Sequence, residues 1–230
     1  MSRADLGKEP DEVSAMFDGV ARRYDLLNDL LSLGRTKAWR KVATKIIAPK
    51  PGMRILDIAA GTGSSSRPLA DAGADVIPLD FSKGMLDAGR KRHPDLAFTQ
   101  GDALALTFKD NEFDVTTISF GLRNTSDTLK ALRESLRVLK SGGRMVVVEF
   151  SQPTNKIFRV IYMRYLMRAL PPIARKVSSN PGAYVYLAES ILAWPNQSGL
   201  AKLMSAAGFQ NVQWQNLTFG IVAIHTGFKP

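Results

Sequence analysis

The stretch Ile55-Leu56-Asp57-Ile58-Ala59-Ala60-Gly61-Thr62-Gly63 decides how this 230-residue chain is read. An apolar strand runs straight into a Gly-x-Gly turn. Glycine lacks Cβ, so the backbone can turn sharply there and come close to a ligand. The next apolar run, Val76-Ile77-Pro78-Leu79, ends on a second acid, Asp80. An acid at the tip of a neighbouring strand can accept hydrogen bonds from both hydroxyls of a ribose. The pattern therefore points to a nucleoside-containing cofactor.

The number of glycines narrows the choice. The dinucleotide fingerprint has a third glycine that admits close helix packing. Here Ser66 stands in that place, which disfavours NAD and FAD, and no GxxxxGK[ST] phosphate loop occurs. What remains, Asp57-x-x-x-Gly61-x-Gly63, resembles the first motif of class I S-adenosyl-L-methionine (SAM) methyltransferases. A tight strand-to-helix turn without a ligand would look the same in isolation. Asp80 and Gly101-Asp102-Ala103, each following an expected strand, weigh against that alternative.

Bulk composition sets bounds. The chain is 45% hydrophobic and 23% charged, which suits one globular domain with a sizeable core. Its longest aliphatic runs, such as Met145-Val146-Val147-Val148, are far too short to span a membrane. The charged N-terminus has no apolar segment of the secretory kind. Zero cysteines exclude disulfides, thiolate metal sites and a cysteine nucleophile, and no metal site is expected. A cytoplasmic protein is the expectation. The net charge of +10 attracts nucleic acid, anionic membrane or acidic substrates if it is clustered, and serves solubility if it is spread.

Along the chain, residues 1 to about 10 read as a loose tail. Val13 to Ile47 is helical in pattern, interrupted near Ser32-Leu33-Gly34, and residues 1–50 form an N-terminal helical unit before the break at Pro49-Lys50-Pro51-Gly52. Strands are expected over Arg54–Ile58, Asp75–Leu79, Leu96–Gln100, Phe113–Phe120 and Arg144–Phe150. Helices are expected over Ser65–Ala72, Lys83–Arg92 (with Ser82 as N-cap) and Asp127–Leu139, the last ended by Ser141-Gly142-Gly143. This alternation implies an α/β domain over residues 51–230 with a mainly parallel, Rossmann-like sheet. A helix over Ser198–Ala207 precedes an antiparallel C-terminal hairpin flanking Phe219-Gly220.

A proline-punctuated insertion covers about residues 151–195. Its helix, Asn155 to Ala169, carries one apolar face of Phe158, Ile161, Tyr162, Tyr165 and Ala169. Val160, Met163 and Met167 form a second stripe, surrounded by Lys156, Arg159, Arg164 and Arg168. A helix apolar on two sides touches two apolar things. One is the core; the other is a further helix, a second copy of the chain, an apolar substrate or a bilayer.

Four stretches together carry a more specific resemblance: Met16 to Asp25; Leu31-Ser32-Leu33-Gly34 with Trp39-Arg40; Ile118-Ser119-Phe120-Gly121-Leu122-Arg123-Asn124; and Glu149-Phe150-Ser151-x-Pro153. In this combination the chain resembles the UbiE/MenG family of quinone-biosynthesis C-methyltransferases, from about Ser14 to the hairpin, and looks closest to its menaquinone branch. The resemblance implies a class I SAM-methyltransferase fold and transfer of a methyl group from SAM to a ring carbon of demethylmenaquinol, a prenylated naphthoquinol. By position, it implies that Gly61, Thr62 and Gly63 approach the methionine part of the cofactor. Asp80 would hold the ribose, Asp102 and Ala103 the adenine, and Ser119 would lie beside the cofactor. Asp102 as a turn cap and Ser119 as an inward strand hydroxyl remain alternatives.

Arg123 and Glu149 are the candidates for the chemistry. A ring hydroxyl must lose its proton to enrich the neighbouring carbon, and a guanidinium favours the resulting anion. Arg123 could instead pair with a local acid to shape its loop. Glu149 is a candidate base or orienting group, or a partner for loop backbone. Tyr24 and Asp25 belong to N-terminal helices that look like a lid. An isoprenoid substrate implies peripheral contact with anionic membrane through the basic helix. Two rivals share the cofactor motifs: a nucleic-acid methyltransferase, which would also explain +10, and a non-catalytic SAM-binding protein. The loop Ser119–Asn124 lacks the [DNS]-P-P-[FYW] pattern of base N-methylation, and no cysteine is available for pyrimidine C5 attack, so no nucleic-acid partner is expected.

Overall fold

In the computed structural model, which describes residues 7–8, 10–18, 32, 34–165, 168 and 181–230, seven strands form one sheet in the order β3-β2-β1-β4-β5-β7-β6. The strands are β1 (Arg54–Ile58), β2 (Asp75–Asp80), β3 (Thr99–Gln100), β4 (Phe113–Ser119), β5 (Leu139–Phe150), β6 (Gln210–Leu217) and β7 (Val222–Phe228). The first five run parallel. β7 lies antiparallel between β5 and β6, pairing Val147 with His225 on one side and Trp214 with His225 on the other. The described helices are α1 (Pro10–Asp18), α2 (Arg35–Ile47), α3 (Ser66–Asp71), α4 (Lys83–Arg92), α5 (Thr128–Val138), α6 (Lys156–Arg164), α7 (Pro181–Ala193) and α8 (Gln197–Ala207).

Both faces of the sheet are covered, which is why its central strands bury apolar residues on both sides, with Asp57, Thr116 and Thr117 as buried polar exceptions. Leu56, Ile58, Met145 and Val147 meet Leu132 of α5 and Leu200 and Met204 of α8. The alternate residues Ile55, Val146 and Val148 meet Trp39, Ala43 and Ile47 of α2. Met145 through Val148 are all essentially inaccessible. Burying each such side chain contributes roughly 1.5–3 kcal/mol.

Several boundaries differ from the sequence expectation for local reasons. β3 keeps only two paired residues, because Leu96 and Phe98 turn back on His93 and Leu96 and the Phe98 ring packs against Gly63 and Gly89. β2 gains Asp80 and β4 stops at Ser119, since Phe120 turns to φ 60°. α5 ends at Val138, one residue short of the expected Leu139, and Ser141-Gly142-Gly143 is not its stop. Leu139 is already extended and pairs with Phe113, so β5 starts five residues early and the glycines sit in a bulge, with Gly142 at φ 75°. In α6, Asn155 caps the first turn by accepting from the amides of Ile157 and Phe158. The two faces of this helix separate as expected: Phe158, Ile161, Tyr162 and Tyr165 line one cavity, while Val160 and Met163 lie on the other side among Arg159, Arg164 and Arg168, Met163 also touching the cluster of the buried Tyr162. Met167, Ala169, Tyr24 and Asp25 lie outside the described residues.

Candidate active site

The loop after β1 is shaped by backbone need. Ala59, Gly61 and Gly63 all take positive φ, and a Cβ on Gly63 would fall 2.6 Å from the Phe98 ring. Only glycine fits there. The Gly61 amide donates to Asp80 Oδ2 at 2.8 Å, tying the tip of β1 to that of β2. Asp80 Oδ1 accepts from the Ser82 amide, also at 2.8 Å. Burial pushes the Asp80 carboxyl up from its ordinary value, and these amide donors counter part of that shift.

Asp57 lies underneath, fully buried. Its Oδ2 accepts from Ser65 Oγ at 2.7 Å and Ser66 Oγ at 2.6 Å, while Oδ1 has no partner. Ser66 therefore replaces the third glycine for a positive reason: its hydroxyl satisfies a carboxylate that the strand buries. Desolvation still pushes Asp57 up to about 6. Asp102 adopts the turn-capping geometry, with Oδ1 accepting from the Leu104 amide at 2.8 Å, and it also faces the cavity.

These tips open into one cavity of about 630 Å³. Gly61, Thr62, Asp80, Asp102, Ala103, Ser119 and Arg123 line it; Gly63 and Glu149 stand behind the wall. Beyond the polar end the cavity turns apolar. Trp39, Phe120 and Phe150 cluster there, with ring centroids 5.1–6.4 Å apart, and Trp39 Nε1 donates to Thr218 Oγ1 at 2.8 Å. Phe158, Ile161 and Ile221 continue the apolar wall.

Arg123 and Glu149 come together although 26 residues separate them, because β4 and β5 are adjacent parallel strands. Gly121 makes the turn possible: a Cβ there would sit 2.4 Å from that of Ala59. Arg123 Nη1 donates to Glu149 Oε1 at 2.8 Å, and the Arg123 amide to Oε2 at 3.3 Å. The Phe150 amide adds a third donor, to Oε1 at 2.8 Å. The guanidinium lies 5.1 Å from the Phe150 ring centroid and is 4% exposed; Glu149 is 1% exposed. Glu149 thus both pairs with Arg123 and satisfies loop backbone.

Two neighbours of the site were not singled out from the sequence, although Asp18 lies in the stretch Met16 to Asp25 that carries the resemblance. Lys8 lines the cavity with its ammonium 5.8 Å from the Trp194 ring centroid, and burial followed by the Arg123 charge pulls its pKa down. Asp18, closing α1, accepts from Ser82 Oγ at 2.5 Å and the Gly84 amide at 2.9 Å, so α1 is latched to the start of α4. His225 is buried in β7 with Nε2 against the Gln197 carbonyl, away from the cavity lining.

Comparison with known proteins agrees with this geometry. A family model described as the ubiE/COQ5 methyltransferase family matches residues 5–229. The chain is 58% identical over 229 residues to a demethylmenaquinone methyltransferase of Renibacterium salmoninarum, covering all of this chain and 97% of that one. It is 60% identical over 229 residues to the protein of the same name from Streptomyces avermitilis, covering all of this chain and 99% of that one. Among solved structures, a SAM-dependent methyltransferase of Thermotoga maritima, described as a possible histamine N-methyltransferase, superposes with a TM-score of 0.66 at 22% identity, covering 94% and 99% of the two chains. The [4+2]-cyclase SpnF superposes at 0.67 with 19% identity, covering 95% of each chain, so at that distance the likeness concerns the fold alone. The near-complete family match and the full-length identities do more: this chain belongs to the ubiE/COQ5 methyltransferase family.

Proposed function

We propose that this protein transfers the methyl group of S-adenosyl-L-methionine to a ring carbon of demethylmenaquinol, giving menaquinol. One observation carries the reading. The acids and glycines of the strand tips open directly into a chamber walled by aromatic and aliphatic side chains. A polar nucleoside and a flat apolar ring fit the two ends of one cavity.

The donor set suits that cofactor. Asp80 supplies acceptors for the ribose, Asp102 and Ala103 flank the adenine, Gly61, Thr62 and Gly63 form the loop over the methionine part, and Ser119 closes the site. When bound, the cofactor supplies an electrophilic methyl group on a sulfonium. The remaining work falls to the chain. A quinol hydroxyl titrates near that of tyrosine, about 10. The Arg123 guanidinium, on the cavity wall, favours the phenolate-like ring. Glu149 orients that guanidinium; its oxygens already take three N–H donors, which suits a positioning role better than that of a base. Trp39, Phe120 and Phe150 hold the ring flat. Residues 1–50 act as a lid, latched through Asp18.

The prenylated substrate places the protein at the cytoplasmic face of a membrane, held by the cations of α6. No described helix is long and apolar enough to cross one. The test supplies SAM with chemically reduced or oxidised demethylmenaquinone and follows product by mass spectrometry, with tRNA and rRNA in parallel. Carbon methylation of the reduced ring alone is expected. Equal turnover of both ring states, methyl on oxygen, or methyl in RNA would overturn the proposal.

A further inference from the structure

The turn between β6 and β7 is built against local preference. Thr218 and Phe219 take φ 48° and 58°, a region that β-branched and bulky residues avoid, before Gly220 at φ 89°. The turn is nevertheless pinned. The Thr154 amide donates to the Phe219 carbonyl at 3.3 Å, Gln197 Nε2 to the Gly220 carbonyl at 3.3 Å, and Trp39 Nε1 to Thr218 Oγ1. All this fixes a phenyl ring that is 74% exposed. A large apolar side chain held outward on a strained, well-bonded turn calls for a partner.

The ring does not stand alone. It meets Phe158 of α6 edge-on at 5.4 Å between centroids, and the same helix exposes Ile157 at 75% and Ile161 at 59%. Phe158, Ile161, Thr218 and Ile221 also line the cavity. The exposed patch and the cavity's apolar wall are therefore one continuous surface. Its charge setting is one-sided among the described residues: Lys156, Arg159, Arg164 and Arg168 carry positive charge, residues 151–165 hold no Asp or Glu, and β6 through Ile224 adds none of either sign.

We infer that Phe219 and the outer side of α6 form an apolar collar around the cavity mouth that inserts into the headgroup region of an anionic bilayer. Docked this way, the cavity opens into lipid, and a prenylated ring enters without crossing water. The charge decides for lipid over a second copy of the chain, since two such faces would bring like charges together. Apolar insertion and cation attraction are separate contributions, and only the second is screened by salt. The collar rests on the proposed substrate for its purpose but not for its test.

The experiment measures partition of the whole protein onto phosphatidylcholine vesicles with and without phosphatidylglycerol, at low and high salt. The double variant Phe219→Asn with Ile157→Gln removes the apolar anchor. Asparagine accepts positive φ more readily than phenylalanine, so the turn is kept. Partition should fall about tenfold or more, on both vesicle types and at both salt levels. Arg164→Gln with Arg168→Gln should weaken only low-salt binding to the anionic vesicles. Turnover of vesicle-borne demethylmenaquinol should fall with partition in the anchor variant, while turnover of a short-chain, water-soluble analogue stays at the wild-type level. Unchanged partition in the anchor variant would overturn the inference, as would wild-type binding that high salt abolishes. So would a dimer that the anchor substitutions dissociate without altering vesicle binding. If vesicle binding depends on Phe219 but neither quinol is methylated, the substrate reading fails and the collar stands. If the soluble analogue is methylated and binding ignores Phe219, the collar fails and the substrate reading stands.

Discussion

Glu149 separates two mechanisms that one carboxylate can serve, and its surroundings set the size of the effect. Truncation to alanine leaves the Arg123 guanidinium buried without its counter-charge and two amides without an acceptor. Breaking a buried pair from one side costs about 3–5 kcal/mol. At roughly 2–4 °C per kcal/mol for a domain of this size, Glu149→Ala should lower Tm by roughly 6–20 °C. Glu149→Gln is gentler. Its carbonyl can occupy the Oε1 position and keep both 2.8 Å bonds, so the main loss is the longer bond to the Arg123 amide and the full charge, roughly 1.5–3 kcal/mol. The folded variant then answers the chemical question. If Glu149 positions Arg123, Glu149→Gln should keep kcat within about tenfold of wild type, equivalent to about 1.4 kcal/mol, with the shape of its pH profile unchanged. A general base supplies about 10²–10⁴-fold. A stable Glu149→Gln protein whose kcat falls by that factor, with the acidic limb of its pH profile lost, would refute the positioning role. Stopped-assay kinetics on reduced demethylmenaquinone, beside calorimetric unfolding of each variant, make the comparison.

Two further outcomes follow from the strand-tip acids. Asp80→Ala removes a charged acceptor and unties Gly61 from Ser82, so titration calorimetry should show SAM affinity weakened by roughly 1.5–3 kcal/mol, and an unchanged affinity would remove Asp80 from the cofactor site. Asp57 is raised in the folded protein to about 6, so protonation favours folding: its stabilising contribution is complete at low pH and is lost as pH rises through about 6. Relative to Asp57→Asn, wild-type unfolding free energy should decline between pH 5 and pH 8 by about 1.4 kcal/mol, the share of the shift that lies above pH 5, and parallel urea curves at the two pH values would contradict the assignment.

Much of the fold was legible because burial on both faces writes itself as unbroken apolar strands. Val76 to Leu79 and Met145 to Val148 could hardly be anything else. The start of α4 was readable because Ser82 caps it through the Met85 amide, a purely local bond. Long-range pairing leaves no such mark. For Arg123 the sequence left open a substrate-facing charge or a pairing with a local acid, and for Glu149 a base or a partner for loop backbone, without naming each as the other's partner. Whether two charges satisfy one another depends on strand neighbourhood, and periodicity does not encode that. The glycines 142 and 143 misled for a related reason: a helix stop and a strand bulge both call for glycine, Gly142 here for its positive φ and Gly143 because a Cβ would fall 2.8 Å from the Lys140 carbonyl. Lys8 lay in a stretch with no periodicity at all, and Phe219 read simply as part of a hairpin turn.

The order of the sheet also bears on how the protein is made. Among the described strands β6 is hydrogen-bonded only to β7, and β7 is inserted between β6 and β5. A nascent chain that has emerged only as far as Leu217 therefore carries β6 with nothing to pair with, while β5 presents an open edge that belongs to a strand not yet synthesised. Lys229 tightens the same dependence. Its ammonium caps the carbonyls of Arg137 and Leu139 at the end of α5, and its backbone closes the bulge at Gly142 and Gly143. The parallel half of the sheet can assemble during translation, but the seam between β5 and β7 closes only after Lys229 has left the ribosome. Until then the exposed β5 edge is where a chaperone, or a neighbouring nascent chain, finds this protein unfinished.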